Sequence, residues 1–159
     1  MNLSLPSLFQ LLRTSSLKIT CAESCTGGLL AGKLTEVSGS SQWFEMGFVT
    51  YSNQAKHLLL SVQENTLLQY GAVSEETAKE MALGAKQKAS ADIALSITGI
   101  AGPTGATKTK PVGTVCFGIS CATFTQTYTC HFNGNRNMVR EQAVAFALNL
   151  LLETLKTLH

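Results

Sequence analysis

One short run of the sequence places a serine among small residues, directly after an apolar stretch. The run is AESCTGG at positions 22–28. Residues 18–22 predict a short buried strand and residues 27–37 a helix, so Ser24 would stand at a strand-to-helix turn. At such a turn a serine can act as a nucleophile, and the backbone N–H groups of Thr26, Gly27 and Gly28 can bind an anion or a developing oxyanion. The alternative is an N-cap and a tight turn with no chemical role.

The base predicted for Ser24 is Lys56, which follows a second polar run. The run GFVTYSN at 47–53 lies where a predicted strand over 44–51 leads into a helix that Asn53 would cap, so Tyr51 and Lys56 would point toward one spot. Partial burial lowers the pKa of a lysine enough for it to act as a base. A Ser-His-Asp triad is disfavoured, because Asp92 is the only aspartate and no histidine lies in the glycine-containing polar segments. The alternative for Lys56 is an ordinary solvated position on a helix.

Two arginines and a glycine-rich loop are the remaining candidates for ligand binding. Arg136 and Arg140 lie one turn apart at the start of the last predicted helix, and a guanidinium group suits phosphate or carboxylate. Cations are unfavourable at a helix start unless an anion joins them, which favours binding over the alternative of solvated surface charges. The loop at 98–105, TGIAGPTG, offers backbone amides and hydroxyls for the wall of a polar site, with Thr98, Gly99 and Gly102 as its candidate contacts.

Two other kinds of site fit the sequence poorly. The segment 27–33 has the glycine and lysine spacing of a nucleotide-binding P-loop, but Leu34 stands where that motif needs serine or threonine for magnesium. The five cysteines and three histidines have no metal-ligand spacing. We therefore expect no metal site and no cofactor.

Composition limits the class of protein and of partner. A chain of 159 residues with 45% hydrophobic and 14% charged residues predicts one globular domain over 1–159 and excludes a disordered chain. A net charge of +2 disfavours binding to nucleic acid or to a membrane surface, and no apolar stretch is long enough to span a bilayer. An odd number of cysteines without a signal peptide predicts a reducing, cytoplasmic location. We expect a small-molecule partner, and the sequence leaves a homo-oligomer open.

The predicted elements that must position these residues alternate between strand and helix. After a first helix bearing Leu8 and Leu12, the predicted order is β-α-β-α-α-β-β-β-α. Ser74 is predicted to cap a helix that ends near Ser90, and the segments 112–120 and 124–132 are predicted to form an antiparallel hairpin before a last helix over 136–158. This order predicts a three-layer α/β/α domain with a mixed, mostly parallel sheet.

Taken together, six ordered segments resemble the C-terminal domain of the CinA family. The resemblance runs from about residue 5 to 155 and rests on AESCTGG (22–28), GFVTYSN (47–53) followed by Lys56, YGAVS (70–74), TGIAGP (98–103), KPVGTV (110–115) and the pair Arg136 and Arg140. One departure is Asn135, where the family usually has an aspartate that could orient the arginine after it.

The resemblance implies a metal-independent nicotinamide-nucleotide amidase. Such an enzyme hydrolyses the carboxamide of nicotinamide mononucleotide to nicotinate mononucleotide and ammonia, in the recycling of pyridine nucleotides. Ser24 would be the nucleophile, Lys56 the base and Tyr51 an orienting or relaying group, while Arg136, Arg140 and the 98–105 loop would hold the phosphoribosyl part. Asn53 is a further candidate for binding the substrate. The alternative is a catalytically silent module that binds a nucleotide-like ligand or a protein of competence or DNA repair.

Overall fold

The computed structural model of the protein describes residues 3–159, and residues 1 and 2 of the predicted domain lie outside the described residues. Helices and strands alternate through most of the chain. In order they are α1 (Leu5–Ser15), β1 (Ile19–Glu23), α2 (Leu29–Leu34), a 3-10 turn (Ser40–Gln42), β2 (Phe48–Val49), α3 (Asn53–Leu60), α4 (Glu64–Tyr70), α5 (Glu75–Ala89), β3 (Ile93–Gly99), β4 (Thr114–Ser120), β5 (Thr125–His131) and α6 (Arg136–Leu158). No helix within residues 3–159 is long and apolar enough to cross a membrane.

The strands form one mixed sheet in the order β2-β1-β3-β4-β5. β1 pairs in parallel with both β2 and β3, whereas β4 is antiparallel to β3 and to β5. Four of the five strands therefore run in one direction, and the prediction of a mixed, mostly parallel sheet is confirmed. β1 lies between β2 and β3, and all five of its residues are buried. Its carboxyl end is therefore held in the interior by pairing on both sides.

Helices cover both faces of the sheet and give the predicted three layers. α6 packs against α1 and α2 on one face, where the larger apolar core lies around Trp43, Leu95 and Phe117. α5 packs against α3 and α4 on the other face, where a smaller core surrounds Leu60 and Met81. The sheet end that carries Ser24 is thus held between two packed layers.

Several predicted boundaries were wrong, each for a local reason. α2 begins at Leu29 rather than at residue 27, because Gly27 and Gly28 have φ angles of +58° and +109°, which are left-handed and not helical. β2 is shorter than predicted, and Phe44 forms only an isolated bridge to Ile19. α4 was not predicted; it contains no buried residue and its N-cap makes no side-chain hydrogen bond, so it has no strong signal.

The predicted start of α5 is confirmed, whereas the predicted start of α3 is off by one residue. Ser74 caps α5 by accepting the N–H of Thr77, and α5 ends at Ala89, one residue before Ser90. The cap of α3 is Ser52, whose hydroxyl accepts the N–H of Ala55 at 3.0 Å, and Asn53 is the first helical residue. This cap fixes the helix that carries Lys56.

Candidate active site

Ser24 lies immediately after β1, at the point where the chain leaves the sheet. Its N–H still donates to the carbonyl of Ile97 in β3 at 2.9 Å, which continues the parallel ladder by one residue. Its carbonyl accepts the N–H of Gly27 at 3.0 Å, which closes the turn into α2. Both main-chain groups of the serine are therefore fixed, and its side chain is 8% exposed.

Lys56 reaches Ser24 from α3 and is almost completely buried, with 1% of its surface exposed. Its Nζ donates to Ser24 Oγ at 3.1 Å, to the carbonyl of Thr50 at 3.0 Å and to the carbonyl of Tyr51 at 3.2 Å. Burial lowers the pKa of Lys56 to about 8, because the charged form loses its hydration. About a tenth of this amine is thus neutral at pH 7 and half of it at pH 8, which is the form that a general base requires.

A cavity of about 270 Å³ opens beside this pair. The sequence-predicted residues that line it are Ser24, Tyr51, Lys56, Thr98, Gly99, Gly102 and Arg136. The other candidates, Thr26, Gly27, Gly28, Asn53 and Arg140, are not among its lining residues. The structure brings together elements that are distant in sequence, because the carboxyl ends of β1, β2 and β3 meet at this edge of the sheet.

Two N–H groups in the first turn of α2, beyond the predicted anion-binding residues Thr26, Gly27 and Gly28, are bonded to a side chain of the protein itself. The carboxylate of Glu23 is fully buried and accepts the N–H groups of Leu30 at 2.9 Å and of Ala31 at 3.0 Å. A carboxylate in this position neutralises the helix N-terminus, where partial positive charge accumulates. A phosphate could not bind these N–H groups without displacing Glu23, which disfavours a P-loop at 27–33.

Arg136 lies at the exposed side of the cavity and connects two of its walls. Its guanidinium group donates to the carbonyl of Gly102 at 2.9 Å and to the hydroxyl of Tyr51 at 3.2 Å. Tyr51 is 60% exposed and has no side-chain contact with Ser24 or Lys56 among the hydrogen bonds of residues 3–159; its carbonyl is the group that meets the lysine. Its ring and hydroxyl therefore belong to the mouth of the cavity.

Arg140 and Asn135 stabilise local structure. Arg140 donates to the carbonyls of Cys25 at 3.0 Å and Thr26 at 3.3 Å, and so holds the turn that carries Ser24 against α6. Asn135 caps α6, since its side-chain oxygen accepts the N–H of Met138 at 3.0 Å. Asparagine and aspartate both cap helices well. Asn135 thus has a role that does not involve orienting Arg136.

Cys25 lines the cavity beside Ser24, but its thiol is poorly suited to act as the nucleophile. Burial raises the pKa of the Cys25 thiol to about 11, so it stays protonated near neutral pH. No group of three His, Cys, Asp or Glu side chains within the described residues is arranged to hold a metal ion. Of the two side chains, the Ser24 hydroxyl is the one in contact with a basic group, Lys56 Nζ.

Sequence reasoning missed two contributions to the site. Thr50 contributes through its main-chain carbonyl, which accepts from Lys56 Nζ, and the residue type carries no signal for that. Glu23 could have been found, because an acidic residue at the end of a buried strand, a few residues before a helix start, indicates a buried carboxylate that caps the helix.

The chain is similar to known proteins along most of its length. The chain is 56% identical over 135 residues to the nicotinamide-nucleotide amidohydrolase PncC of Enterobacter agglomerans, which covers 84% of this chain and 82% of that protein. It is 53% identical over 139 residues to a CinA-like protein of Syntrophomonas wolfei, of which it spans 33%. The crystal structure of a competence-damaged protein (CinA) superfamily protein from Klebsiella pneumoniae superposes with a TM-score of 0.92 at 37% identity, covering 96% of both chains. The family model described as the CinA C-terminal domain matches residues 4–155, and the chain belongs to this family.

Proposed function

We propose that this protein hydrolyses the carboxamide of nicotinamide mononucleotide, with Ser24 as the nucleophile and Lys56 as the general base. The observation that carries the proposal is the 3.1 Å contact between Lys56 Nζ and Ser24 Oγ at the edge of the cavity. The amidohydrolase name of the Enterobacter relative supplies the substrate. A module that only binds its ligand would gain nothing from a buried lysine whose pKa is lowered toward neutrality.

The surroundings of Lys56 suit proton transfer from Ser24. When the amine is neutral, two N–H groups remain bonded to the carbonyls of Thr50 and Tyr51, and the lone pair is left for the serine hydroxyl. Ser24 Oγ then attacks the amide carbon while its proton moves to Lys56. The protonated lysine returns this proton to the leaving nitrogen, which departs as ammonia and leaves an ester on Ser24. Water, activated by the neutral lysine, hydrolyses the ester to nicotinate mononucleotide.

The nucleotide part of the substrate would lie toward Arg136. The carboxamide has to reach Ser24, which is 8% exposed, so the ribose and phosphate extend toward the exposed mouth of the cavity. Arg136 is the cation that lines this cavity at its mouth, and a guanidinium group can bind phosphate through two parallel hydrogen bonds. We therefore assign phosphate binding to Arg136 and a structural role to Arg140.

The test is release of ammonia and nicotinate mononucleotide from nicotinamide mononucleotide by the purified protein. We expect stoichiometric release by the wild type and by Ser41→Ala, whose exposed serine lies in the 3-10 turn, and none by Ser24→Ala. Exhaustive chelation should leave the rate unchanged, since a Ser/Lys pair needs no Lewis acid. A Ser24→Ala variant that keeps more than a few per cent of the rate would remove Ser24 as the nucleophile. Activity that is lost with chelator and restored by zinc or magnesium would contradict the metal-independent mechanism.

A further inference from the structure

The segment after β3 directs a buried main-chain N–H group toward the side of the sheet where Ser24 lies. Ile100 is bonded on the β4 side through both main-chain groups: its N–H donates to the carbonyl of Thr114, and its carbonyl accepts the N–H of Gly113, each at 2.8 Å. In a trans peptide the carbonyl and the following N–H point in opposite directions. The peptide between Ile100 and Ala101 is trans, since the cis bond of the described chain is at Gly102-Pro103. The N–H of Ala101 therefore points away from β4 and toward the β1 side.

This N–H group has no acceptor within residues 3–159, although Ala101 is only 4% exposed. A buried backbone N–H without a partner is rare in folded proteins, because the lost hydrogen bond destabilises the fold. Ala101 lines the same cavity as Ser24. An acceptor for its N–H is therefore expected from whatever occupies this cavity.

Gly99 places a second N–H in the same direction. Along β3 the main-chain groups of successive residues point alternately toward β4 and toward β1. Those of Thr98 and Ile100 face β4, so the N–H of Gly99, which lies between them, faces the β1 side. A continued parallel ladder would give this N–H the carbonyl of Ser24, but that carbonyl accepts the N–H of Gly27 where the chain turns. Glycine is also required here, because a Cβ at position 99 would stand 2.8 Å from Val115 Cγ2.

We propose that the N–H groups of Ala101 and Gly99 form the oxyanion hole of the amidase. This assignment rests on the proposed amide hydrolysis. When Ser24 Oγ bonds to the carboxamide carbon, the π electron pair of the C=O bond moves onto oxygen, and the serine proton moves to Lys56. The two N–H groups stabilise this negative oxygen until the carbon–nitrogen bond breaks, the C=O bond re-forms and ammonia leaves with the proton from Lys56. This assignment differs from the sequence-based expectation, which placed the oxyanion at Thr26, Gly27 and Gly28; of these three, Gly27 already donates its N–H to the carbonyl of Ser24.

Replacing single amide bonds of the full chain by esters tests the proposal, because it removes one N–H and keeps the side chain. We expect Ala101→lactic acid to lower kcat for nicotinamide mononucleotide by roughly 100- to 1000-fold with little change in KM, since the charge exists only in the transition state and the intermediate. Gly99→glycolic acid should act in the same direction. The matched control is Ala122→lactic acid in the exposed turn between β4 and β5, which should behave as wild type. If both Gly99 and Ala101 esters keep kcat within threefold of this control, the proposal is wrong.

A second readout separates this proposal from the proposed function, because it requires no turnover. Ser24 Oγ gives its proton to Lys56 and donates an electron pair to the empty orbital of boron in pyridine-3-boronic acid, which forms a negatively charged tetrahedral adduct. One of the two hydroxyl oxygens on boron then takes the position of the oxyanion. We expect Ala101→lactic acid to bind this probe at least about tenfold more weakly than wild type and the Ala122 control. Equal affinity would overturn the proposal. If the wild type releases no ammonia from nicotinamide mononucleotide but Ala101→lactic acid still binds the probe more weakly, the proposed substrate is wrong and the assignment of the oxyanion hole stands.

Discussion

Arg136 and Arg140 lie one turn apart on α6, yet their guanidinium groups bind different parts of the molecule. Arg136 joins the carbonyl of Gly102 to the hydroxyl of Tyr51 at the mouth of the cavity. Arg140 binds two carbonyls of the turn that carries Ser24. A pair that the sequence presents as equivalent thus separates into one arginine that can meet a substrate and one that holds the nucleophile's turn.

Replacing Arg136 by alanine should weaken use of the phosphorylated substrate specifically. We expect kcat/KM for nicotinamide mononucleotide to fall by a factor that corresponds to about 1.5 to 3 kcal/mol of lost transition-state binding, the range of charge-assisted hydrogen bonds. The kcat/KM for nicotinamide riboside should change little. The measurement is the ratio of the two kcat/KM values in wild type and in Arg136→Ala. An undiminished preference for the mononucleotide in this variant would show that the phosphate binds elsewhere.

Replacing Arg140 by alanine should act on stability. The change leaves two carbonyls of a mostly buried turn without their charged donor, and we expect the free energy of unfolding to fall by about 1–3 kcal/mol. Arg136→Ala is the matched comparison, because Arg136 is exposed and should change stability far less. Urea unfolding of both variants measures the difference. Equal stability of Arg140→Ala and wild type would contradict the structural role.

The amidase rate should rise with pH, reach half of its maximum at about pH 8 and level off above about pH 9. Only the neutral form of Lys56 can take the Ser24 proton, and the lowered pKa of about 8 sets the pH at which half of it is neutral. The profile of kcat/KM between pH 6 and pH 10 measures this dependence. We expect Lys56→Met to be inactive at every pH and His57→Ala to keep the wild-type profile, because His57 Nδ1 is bonded to the carbonyl of Val62. If activity survives in Lys56→Met and is lost in His57→Ala, Lys56 is not the base.

Stability should also rise with pH, and over a window that Lys56 defines. The unfolded chain keeps the lysine proton up to the ordinary pKa of 10.5, whereas the folded chain releases it near 8. Below pH 8 both states are protonated, and the buried charge lowers stability. Between pH 8 and 10.5 the unfolded state binds more protons, so the free energy of unfolding increases, by about 3 kcal/mol in total. The difference in unfolding free energy between wild type and Lys56→Met should change by this amount across the window, and a constant difference would contradict the lowered pKa.

The sheet and its layers could be predicted because their signals are local. The buried strands are indicated by runs of apolar residues and the start of α5 by the capping serine Ser74, and each of these signals lies within a few positions of the chain. The alternation of strand and helix then limits the possible topologies. The pairing of Ser24 with Lys56 was also predictable, since each follows a strand whose carboxyl end lies at the same edge.

The rest of the site could not be predicted, because it depends on where main-chain groups point. The separation of Arg136 from Arg140 depends on which carbonyls face α6, and no residue type reports that. Glu23 accepts the N–H groups of Leu30 and Ala31 in α2, and this contact depends on where its side chain points from the preceding strand. The family resemblance concerned only whether position 135 can orient the next arginine, whereas the structure shows that the side-chain oxygen of Asn135 accepts the N–H of Met138.

Tyr51 takes part in the site through two groups that are chemically independent. Its carbonyl, with that of Thr50, holds the amine of Lys56, while its hydroxyl meets Arg136 at the cavity mouth. Every residue type supplies the same carbonyl, so a change of side chain at position 51 leaves the acceptors of the lysine in place. A substitution at position 51 can therefore change substrate preference without changing the groups that hold Lys56. At this position a family could come to accept new amide substrates while it keeps the same general base.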